Sequence, residues 1–349
     1  MRSSLACLLT IGLMELTRAD QALDQALDAI TPAVKKWASI CVVTNPEANP
    51  AFAWHEYRQT GSETDFWPAS TIKLYAVVAA LELLNERGFC LSSTVTFEHG
   101  NADGTWTIDC ARTVQEMLTE VFRRSSNEDY TLLLRLVGLD RINTRFFVPE
   151  KGFTRTALMR GYVLGRPYGY VREEPQRIRL RSADGLASET HTHTWSGRFY
   201  AEEKGCTIID AKTGNVTTSR ELAECLRRLL FHEKLSPGER YHVTADQLAR
   251  VRFGGSGTVG LETRTKESGP LSWTGAIETI FPQARFYHKC GVISNYASEV
   301  AAFDATASGG PFVILVPVAA AGSATTPITG EKIVTAMSQA IAQWAKTPR

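Results

Sequence analysis

The chain has 349 residues, of which 44% are hydrophobic and 21% charged, and its formal net charge is +1. These values are typical of a globular protein with one large domain or two interleaved ones. The near balance of charge argues against a nucleic-acid partner, and no basic run is long enough to indicate a membrane-surface protein.

The first nineteen residues differ in composition from the rest. Arg2 gives a positive start, an apolar stretch covers Leu5–Met14, and Thr17–Ala19 is an acceptable cleavage site. This pattern predicts a secretory signal peptide over residues 1–19, and therefore a secreted or periplasmic protein. The segment is too short to cross a bilayer, so we expect no membrane span; a buried N-terminal helix is the alternative.

Six cysteines remain once that segment is removed, and an even number in an exported protein is compatible with disulfide bonds. Cys90 and Cys110 flank a predicted hairpin made of residues 93–97 and 105–108. We predict that these two cysteines form a disulfide bond.

The predicted elements alternate between strands and helices along the chain. Apolar residues at helical spacing predict helices over Asp20–Trp37, Pro68–Arg87, Thr113–Arg123, Tyr130–Val137, Ser219–Leu230, Thr244–Phe253 and Thr329–Trp344. Besides the cysteine-flanked hairpin, strands are predicted over Ile40–Thr44, Ala51–Tyr57, Arg285–Val292, Glu299–Asp304 and Phe312–Val318. The sequence of residues 148–204 has no sustained helical or strand periodicity, which predicts long loops with one hairpin.

Strands and helices at both ends of the chain bracket a middle in which helices predominate. We therefore predict an α+β fold, in which an antiparallel sheet is flanked by the N- and C-terminal helices and carries an inserted helical subdomain. The sheet subdomain would comprise residues 20–67 and 265–349, and the helical subdomain residues 68–264.

The helix that begins at Pro68 carries Ser70 and, one turn later, Lys73. Both would lie on one face, where the helix N-terminus presents free N–H groups and the positive end of its dipole. Lys73 could remove the seryl proton if burial lowers its pKa enough to leave it partly neutral. Because S-x-x-K is a loose pattern, an N-capping serine beside a solvated lysine is the alternative.

Two further motifs follow in order, since Ser125–Asn127 has the form S-x-N and Lys289–Gly291 the form K-x-G. Together with S-x-x-K, they resemble the three motifs of the penicillin-recognising serine hydrolases, and specifically of class A β-lactamases. Thr113–Leu118 and Thr217–Leu222 are also similar to helix starts of that family. The resemblance covers most of the chain after residue 19 and implies the β-lactamase/transpeptidase-like fold.

The resemblance implies an acyl-enzyme mechanism that needs no cofactor and no metal. Ser70 would be the nucleophile, Lys73 its base, and Ser125 a proton relay to the leaving nitrogen.

The remaining motif residues would bind the substrate. The Asn127 amide would orient the substrate and Lys73, while Lys289 and Gly291 supply the K-x-G motif, with the lysine facing a substrate carboxylate. The backbone N–H groups of Ser70 and Val292 would form the oxyanion hole.

Two other patterns in the sequence suggest alternative sites. Lys212–Gly214 spells K-T-G literally, but it precedes a helix cap and leaves too much chain behind it, so context favours Lys289–Gly291. His191 and His193 could share a strand face and bind metal, but no third ligand is near in sequence, so we expect no metal site.

The sequence departs from the family at the residue that activates the deacylating water, a Glu in an R-x-E-P-x-L-N segment. Gly152–Arg160 resembles the run leading into that segment, which places Tyr162 where the Glu is expected. Arg172–Pro175 spells R-x-E-P further on, so Glu174 is the alternative base. Cys290 also replaces the threonine of K-T-G, which removes a hydroxyl that helps to bind a carboxylate.

Three hypotheses follow for the function. The first is a β-lactamase-like serine hydrolase that acts through Ser70 on a β-lactam or a related amide. The second is a D,D-peptidase or esterase of the same fold, acting on a peptidoglycan-like acyl donor. The third is a penicillin-binding or sensing module that is acylated without turnover. In each case we expect a small-molecule substrate and a monomer.

Overall fold

The computed structural model describes residues 20–206, 212–255, 259–262, 273–293, 296–320 and 330–347. The predicted signal peptide over residues 1–19 lies outside these ranges, so export stays a prediction. Within the ranges, none of the helices combines the length and the apolarity that a membrane crossing requires.

The described residues contain eleven strands and ten helices, which largely follow the predicted order. The strands are β1 Lys35–Thr44, β2 Ala51–Glu56, β3 Asp65–Phe66, β4 Thr94–Gly100, β5 Trp106–Thr113, β6 Gln176–Arg181, β7 Ser188–His193, β8 Thr217–Thr218, β9 Arg285–Ile293, β10 Tyr296–Asp304 and β11 Phe312–Ala320. The helices are α1 (20–29), α2 Lys73–Glu86, α3 Val114–Arg124, α4 Asn127–Val137, α5 Leu139–Arg141, α6 Tyr200–Glu203, α7 Ser219–Leu230, α8 Ala245–Phe253, α9 Trp273–Glu278 and α10 Gly330–Lys346.

A five-stranded antiparallel sheet joins the two ends of the chain, in the order β2-β1-β11-β10-β9. Its central strand β11 is an almost continuous apolar run because both of its faces are buried. Val313 and Leu315 contribute to one core, with α1, α9 and α10, whereas Ile314 and Val316 contribute to the other, with α2, α4 and α7. The predicted antiparallel sheet flanked by terminal helices is confirmed.

The middle of the chain contains more strand than the predicted helical subdomain allows. Helices α2, α3 and α4 do pack together there, and α2 is buried on nearly every side. The two predicted hairpins, however, join into one four-stranded sheet of order β5-β4-β6-β7, in which Thr94 pairs with Arg181. Residues 68–264 therefore include a sheet of their own, while the proposed subdomain boundaries stay a prediction.

The N-terminal helix is shorter than predicted. It ends at residue 29 instead of continuing to Trp37, and Lys35 already begins β1. Thr31 has a positive φ of 43°, and Pro32 follows it. A residue before proline avoids the helical region, so the chain turns here despite its apolar periodicity.

The predicted disulfide between Cys90 and Cys110 is absent, and both thiols are free. Thr94 pairs with Thr113 at one end of the hairpin, and Cys110 lies three residues further along β5, opposite Phe97. Three extended residues span on the order of 10 Å. A disulfide needs Cα atoms within about 7 Å, so the register of the hairpin separates the two cysteines.

Candidate active site

Ser70 lies on a short 3₁₀ turn, Ala69–Ile72, that leads directly into α2. Ala69 has a positive φ of 47°, a conformation that costs a non-glycine residue on the order of 1–2 kcal/mol. Thr71 holds the turn, because its N–H and its hydroxyl both donate to the carbonyl of Pro68, at 3.1 and 2.6 Å. The partly exposed Ser70 is thus presented on a pinned, strained turn.

Strand β9 packs against this turn at Gly291. A Cβ atom on Gly291 would lie 2.5 Å from the Pro68 carbonyl oxygen and 3.0 Å from the backbone nitrogen of Ser70. Only glycine permits so close an approach. The contact brings the K-x-G motif to the S-x-x-K motif, and Val292 and Ser70 line the same cavity. Their assignment to the oxyanion hole stays a prediction.

Lys73 is completely buried and faces the S-x-N motif. Its Nζ donates to the Ser125 carbonyl oxygen, to Ser125 Oγ at 3.1 Å and to Asn127 Oδ1 at 2.8 Å. The rings of Tyr130 and Tyr162 lie about 6 Å from the same nitrogen. The contact between Lys73 and Asn127 is compatible with the orienting role expected of the Asn127 amide, and that role stays a prediction.

Lys289 approaches Ser125 from strand β9. Its Nζ donates to Ser125 Oγ at 2.8 Å and to the carbonyl of Cys290 at 2.9 Å, and only 5% of the residue is exposed. Ser125 itself has a positive φ of 55°, at the C-terminal cap of α3. The hydroxyl of Ser125 is therefore the point at which all three sequence motifs meet.

The two lysines make the site electrostatically unusual. Burial, and then the positive charge of Lys289, lower the pKa of Lys73 from 10.5 to about 7. Burial also lowers the pKa of Lys289. A substantial fraction of Lys73 is consequently neutral near pH 7, which is the state that can accept a proton from a serine hydroxyl.

A cavity of about 360 Å³ opens beside Ser70. It is lined by Trp67, Ala69, Ser70, Asn127, Arg160, Gly161, Tyr162, Leu164, Val292 and Ile293. No carboxylate side chain is among these described lining residues.

Tyr162 is one of the residues that line this cavity. Its hydroxyl donates to the Ala69 carbonyl at 2.8 Å, and its backbone N–H donates to Thr131 Oγ1 at 3.0 Å. Burial raises the pKa of Tyr162, so this side chain is not a base at neutral pH. Tyr162 thus lies beside the turn that carries Ser70, and its equivalence to the family's Glu stays a prediction.

Glu174 lies elsewhere, so its prediction as the deacylating base is wrong. Its carboxylate forms an ion pair with Arg166, and the next residue, Pro175, accepts a hydrogen bond from Gly100 at the end of β4. Glu174 is thus fixed beside the four-stranded sheet and does not line the Ser70 cavity.

A model of the β-lactamase enzyme family matches residues 52–345. This chain belongs to that family. The family fold is also present in solved structures, among them a β-lactamase from Sphaerobacter thermophilus (14% identity, TM-score 0.54, covering 93% of this chain and 96% of that one). A class A β-lactamase from Mycobacterium abscessus is 16% identical, with a TM-score of 0.55 over 93% of this chain and 98% of that one. PBP-A is 18% identical, with a TM-score of 0.56 over 94% of this chain and 96% of that one. A search of curated protein sequences finds no match.

In this β-lactamase-family protein, the literal K-T-G, Lys212–Gly214, lies apart from the three motifs that meet at Ser125. The next residue, Asn215, is fully buried, and its amide oxygen accepts hydrogen bonds from the backbone N–H groups of Met159 and Arg160, at 2.7 and 3.0 Å. Asn215 Nδ2 donates to the Arg160 carbonyl at 3.0 Å and to Tyr130 Oη at 3.1 Å. The segment after K-T-G therefore fixes the loop that leads to Tyr162, a role that the motif did not indicate.

His191 and His193 connect strand β7 to helix α4. His193 Nε2 lies 2.7 Å from the Arg135 carbonyl, and His191 Nε2 lies 3.4 Å from the Leu136 carbonyl, so β7 is bonded to α4. Across the described ranges, no group of three His, Cys, Asp or Glu side chains is placed to hold a metal ion.

Sequence reasoning missed Arg160 and Trp67. The Arg160 guanidinium stacks on the Trp67 ring, with its carbon 4.9 Å from the ring centre, and both residues line the cavity of Ser70. Arg160 ends the Gly152–Arg160 run, but Trp67 lies 93 positions before it, and nothing in the sequence indicates that the two side chains are in contact.

Proposed function

We propose that this protein is a serine hydrolase of the class A β-lactamase type, which forms an acyl-enzyme on Ser70 with β-lactams or related amides. The observation that carries the proposal is the buried Lys73, with a pKa of about 7, bonded to Ser125 and Asn127. In this environment, Lys73 can act as a general base at neutral pH.

The acylation step follows from the same contacts. Neutral Lys73 takes the proton of Ser70, whose Oγ attacks the substrate carbonyl carbon. The N–H groups of Ser70 and Val292 would stabilise the resulting oxyanion. As the tetrahedral intermediate collapses and the amide C–N bond breaks, Ser125 gives its hydroxyl proton to the leaving nitrogen and receives in exchange the proton held by Lys73, whose Nζ lies 3.1 Å from Ser125 Oγ. Lys289, at 2.8 Å from Ser125 Oγ, supplies positive charge for a substrate carboxylate.

Release of the acyl group should be slow. Hydrolysis of the ester needs a base that activates water within hydrogen-bond reach. The Tyr162 hydroxyl donates a hydrogen bond to the Ala69 carbonyl and has a raised pKa, and the described lining residues include no carboxylate. We therefore propose acylation that outruns deacylation, which favours a long-lived adduct over efficient antibiotic hydrolysis.

The decisive experiment is intact-protein mass spectrometry after exposure to penicillin G. We expect a persistent adduct on the wild-type protein, and none on Ser70→Ala. Undiminished labelling of Ser70→Ala would overturn the proposal. If neither penicillin nor a chromogenic cephalosporin labels the wild type, release of D-alanine from a D-alanyl-D-alanine peptide tests the peptidase alternative.

A burst measurement separates the two halves of the reaction. We expect a stoichiometric burst of β-lactam cleavage followed by a slow steady state in the wild type. Glu174→Gln is the matched control and should change neither phase, because Glu174 lies at the Arg166 ion pair. Fast steady-state turnover in the wild type would show that another group activates water.

We also propose that the protein is exported. The support is the charged, apolar and small-residue pattern of residues 1–19. N-terminal sequencing of the mature protein should begin at Asp20, and an uncleaved N-terminus would contradict the proposal.

A further inference from the structure

The cavity of Ser70 extends away from the leaving-group side of the site. Ser125 and Lys289, which face the leaving nitrogen in the proposed mechanism, do not line it. Its far wall is formed by the segment that contains Arg160, Gly161 and Tyr162, together with Trp67. In the proposed function, this is the space into which the acyl part of a substrate would project.

Arg160 is firmly held at its backbone. Asn215 bonds to both its N–H and its carbonyl, each at 3.0 Å, and the Tyr130 hydroxyl donates to the same carbonyl at 2.8 Å. Asn215 and Tyr130 are both fully buried. The position from which the Arg160 side chain departs is therefore fixed by three hydrogen bonds.

The guanidinium of Arg160 is free to bind an anion. It is exposed, it stacks on Trp67, and it forms no ion pair with any residue in the described ranges. Stacking occupies the face of a guanidinium and leaves its N–H edges available for a carboxylate. The described lining of the cavity also holds no acidic side chain that would compete for it.

Apolar side chains surround the same space. Leu164 is 91% exposed and Val292 48% exposed, and both line the cavity, beside the Trp67 ring. Such a surface suits an apolar or aromatic acyl chain with one anionic substituent.

We propose that Arg160 is a specificity residue that binds an anionic group on the acyl side of the substrate. The preferred acyl donor then carries a carboxylate on its acyl chain, in addition to the carboxylate that faces Lys289. This inference rests on the proposed function, since it assigns the substrate class of the same Ser70 site.

The test compares two penicillins that differ by one group: benzylpenicillin, and carbenicillin, which has an additional carboxylate on the acyl side chain. Arg160→Gln should weaken binding of carbenicillin before acylation by on the order of tenfold, as expected for a lost charged hydrogen bond. It should leave the maximal acylation rate, and both constants for benzylpenicillin, within about twofold. Arg160→Lys should retain part of the preference because it retains the charge.

Arg172→Gln is the matched control, because Arg172 also stacks on a tryptophan, Trp195, with its carbon 4.8 Å from the ring centre, but outside the cavity. Arg172→Gln should change neither the binding nor the maximal acylation rate of either penicillin. Equal losses for both penicillins in Arg160→Gln would show a structural role for Arg160 and overturn the inference.

Equilibrium binding to Ser70→Ala separates failure of the inference from failure of the proposed function. If neither penicillin acylates the wild type, the proposed function fails. Tighter binding of carbenicillin than benzylpenicillin, lost in Arg160→Gln, would still support the anion site. Equal binding of the two would overturn it.

Discussion

Two lysines donate to one hydroxyl, since Lys73 and Lys289 reach Ser125 Oγ at 3.1 and 2.8 Å. A hydroxyl has two acceptor positions and one donor proton. With both acceptor positions occupied, the proton of Ser125 is left to point towards a third partner. This arrangement suits donation to the nitrogen that leaves during acylation.

The pKa of Lys73 predicts the pH dependence of acylation. Because protonated Lys73 cannot act as a base, the second-order acylation rate should rise with pH, with a midpoint near 7. Lys289→Ala removes a neighbouring positive charge, which makes protonation of Lys73 easier, so its midpoint should move to higher pH. Stopped-flow labelling with a fluorescent penicillin across the neutral range measures both midpoints. A rate independent of pH would argue against Lys73 as the base.

The cysteines give a second prediction for single residues. Hydrogen bonds with the hydroxyls of Ser92 and Ser93 lower the pKa of the exposed Cys90, whereas burial raises the pKa of Cys225 to about 12. Since the thiolate is the reactive form, iodoacetamide should alkylate Cys90 in the folded protein and spare Cys225 until denaturation. Peptide mapping checks this, and a Cys90–Cys110 disulfide peptide in a non-reducing map would contradict the free thiols.

The sequence indicated the residues of the candidate site better than the residues that hold them in place. Ser70, Lys73, Ser125 and Lys289 belong to short motifs whose order is visible in the chain. Asn215 carries no such mark, because its role consists of hydrogen bonds to backbone groups more than fifty residues away.

At the scale of elements, strands and helices with a clear period were predictable, and their long-range pairing was not. The apolar run of β11 and the periodicity of α4 are local properties. The pairing of β4 with β6 joins residues about eighty positions apart, which no local pattern encodes. The early end of α1 at Thr31, by contrast, had a local signal in Pro32, which the apolar periodicity obscured.

The approach of β9 to the nucleophile turn gives a prediction for an element. Gly291→Ala should reduce acylation by on the order of a hundredfold, because the new methyl group must displace the backbone around Ser70, and should cost about 1–3 kcal/mol of stability. Gly238→Ala is the control, since a Cβ there meets no atom within 4 Å. Acylation rates and urea denaturation measure both effects. Wild-type acylation by Gly291→Ala would mean that the close packing is not needed.

At the scale of the whole molecule, one buried arginine joins the helices to the four-stranded sheet. Arg135, on α4, is fully buried and donates to Asp109 of β5 at 2.5 Å, to Gln176 of β6 at 2.8 Å and to the Pro167 carbonyl at 3.0 Å. Asp109 also pairs with Arg166 at 3.2 Å. The loop that follows Tyr162 is thereby attached to both layers.

Arg135→Met should destabilise the protein by about 3–5 kcal/mol, because it leaves the buried Asp109 carboxylate with fewer partners. Arg198→Met removes an exposed ion pair with Glu203 and should leave the free energy of unfolding almost unchanged. Urea denaturation of both variants gives the comparison. Equal stability of the two variants would show that the buried network adds nothing to an ordinary surface pair.

Because Lys73 titrates near neutrality, both the stability of the protein and its binding of substrate should depend on pH. The pKa of Lys73 falls from 10.5 to about 7 on folding, so between these values folding releases a proton. The resulting loss of stability is complete below pH 7 and disappears as the pH approaches 10.5. A substrate carboxylate entering beside Lys73 and Lys289 would act in the opposite direction, raising the Lys73 pKa and drawing a proton back. Substrate binding should therefore be accompanied by protonation of Lys73, whereas acylation requires Lys73 to be neutral. Binding is then favoured at the lower end of the neutral pH range and acylation at the upper end.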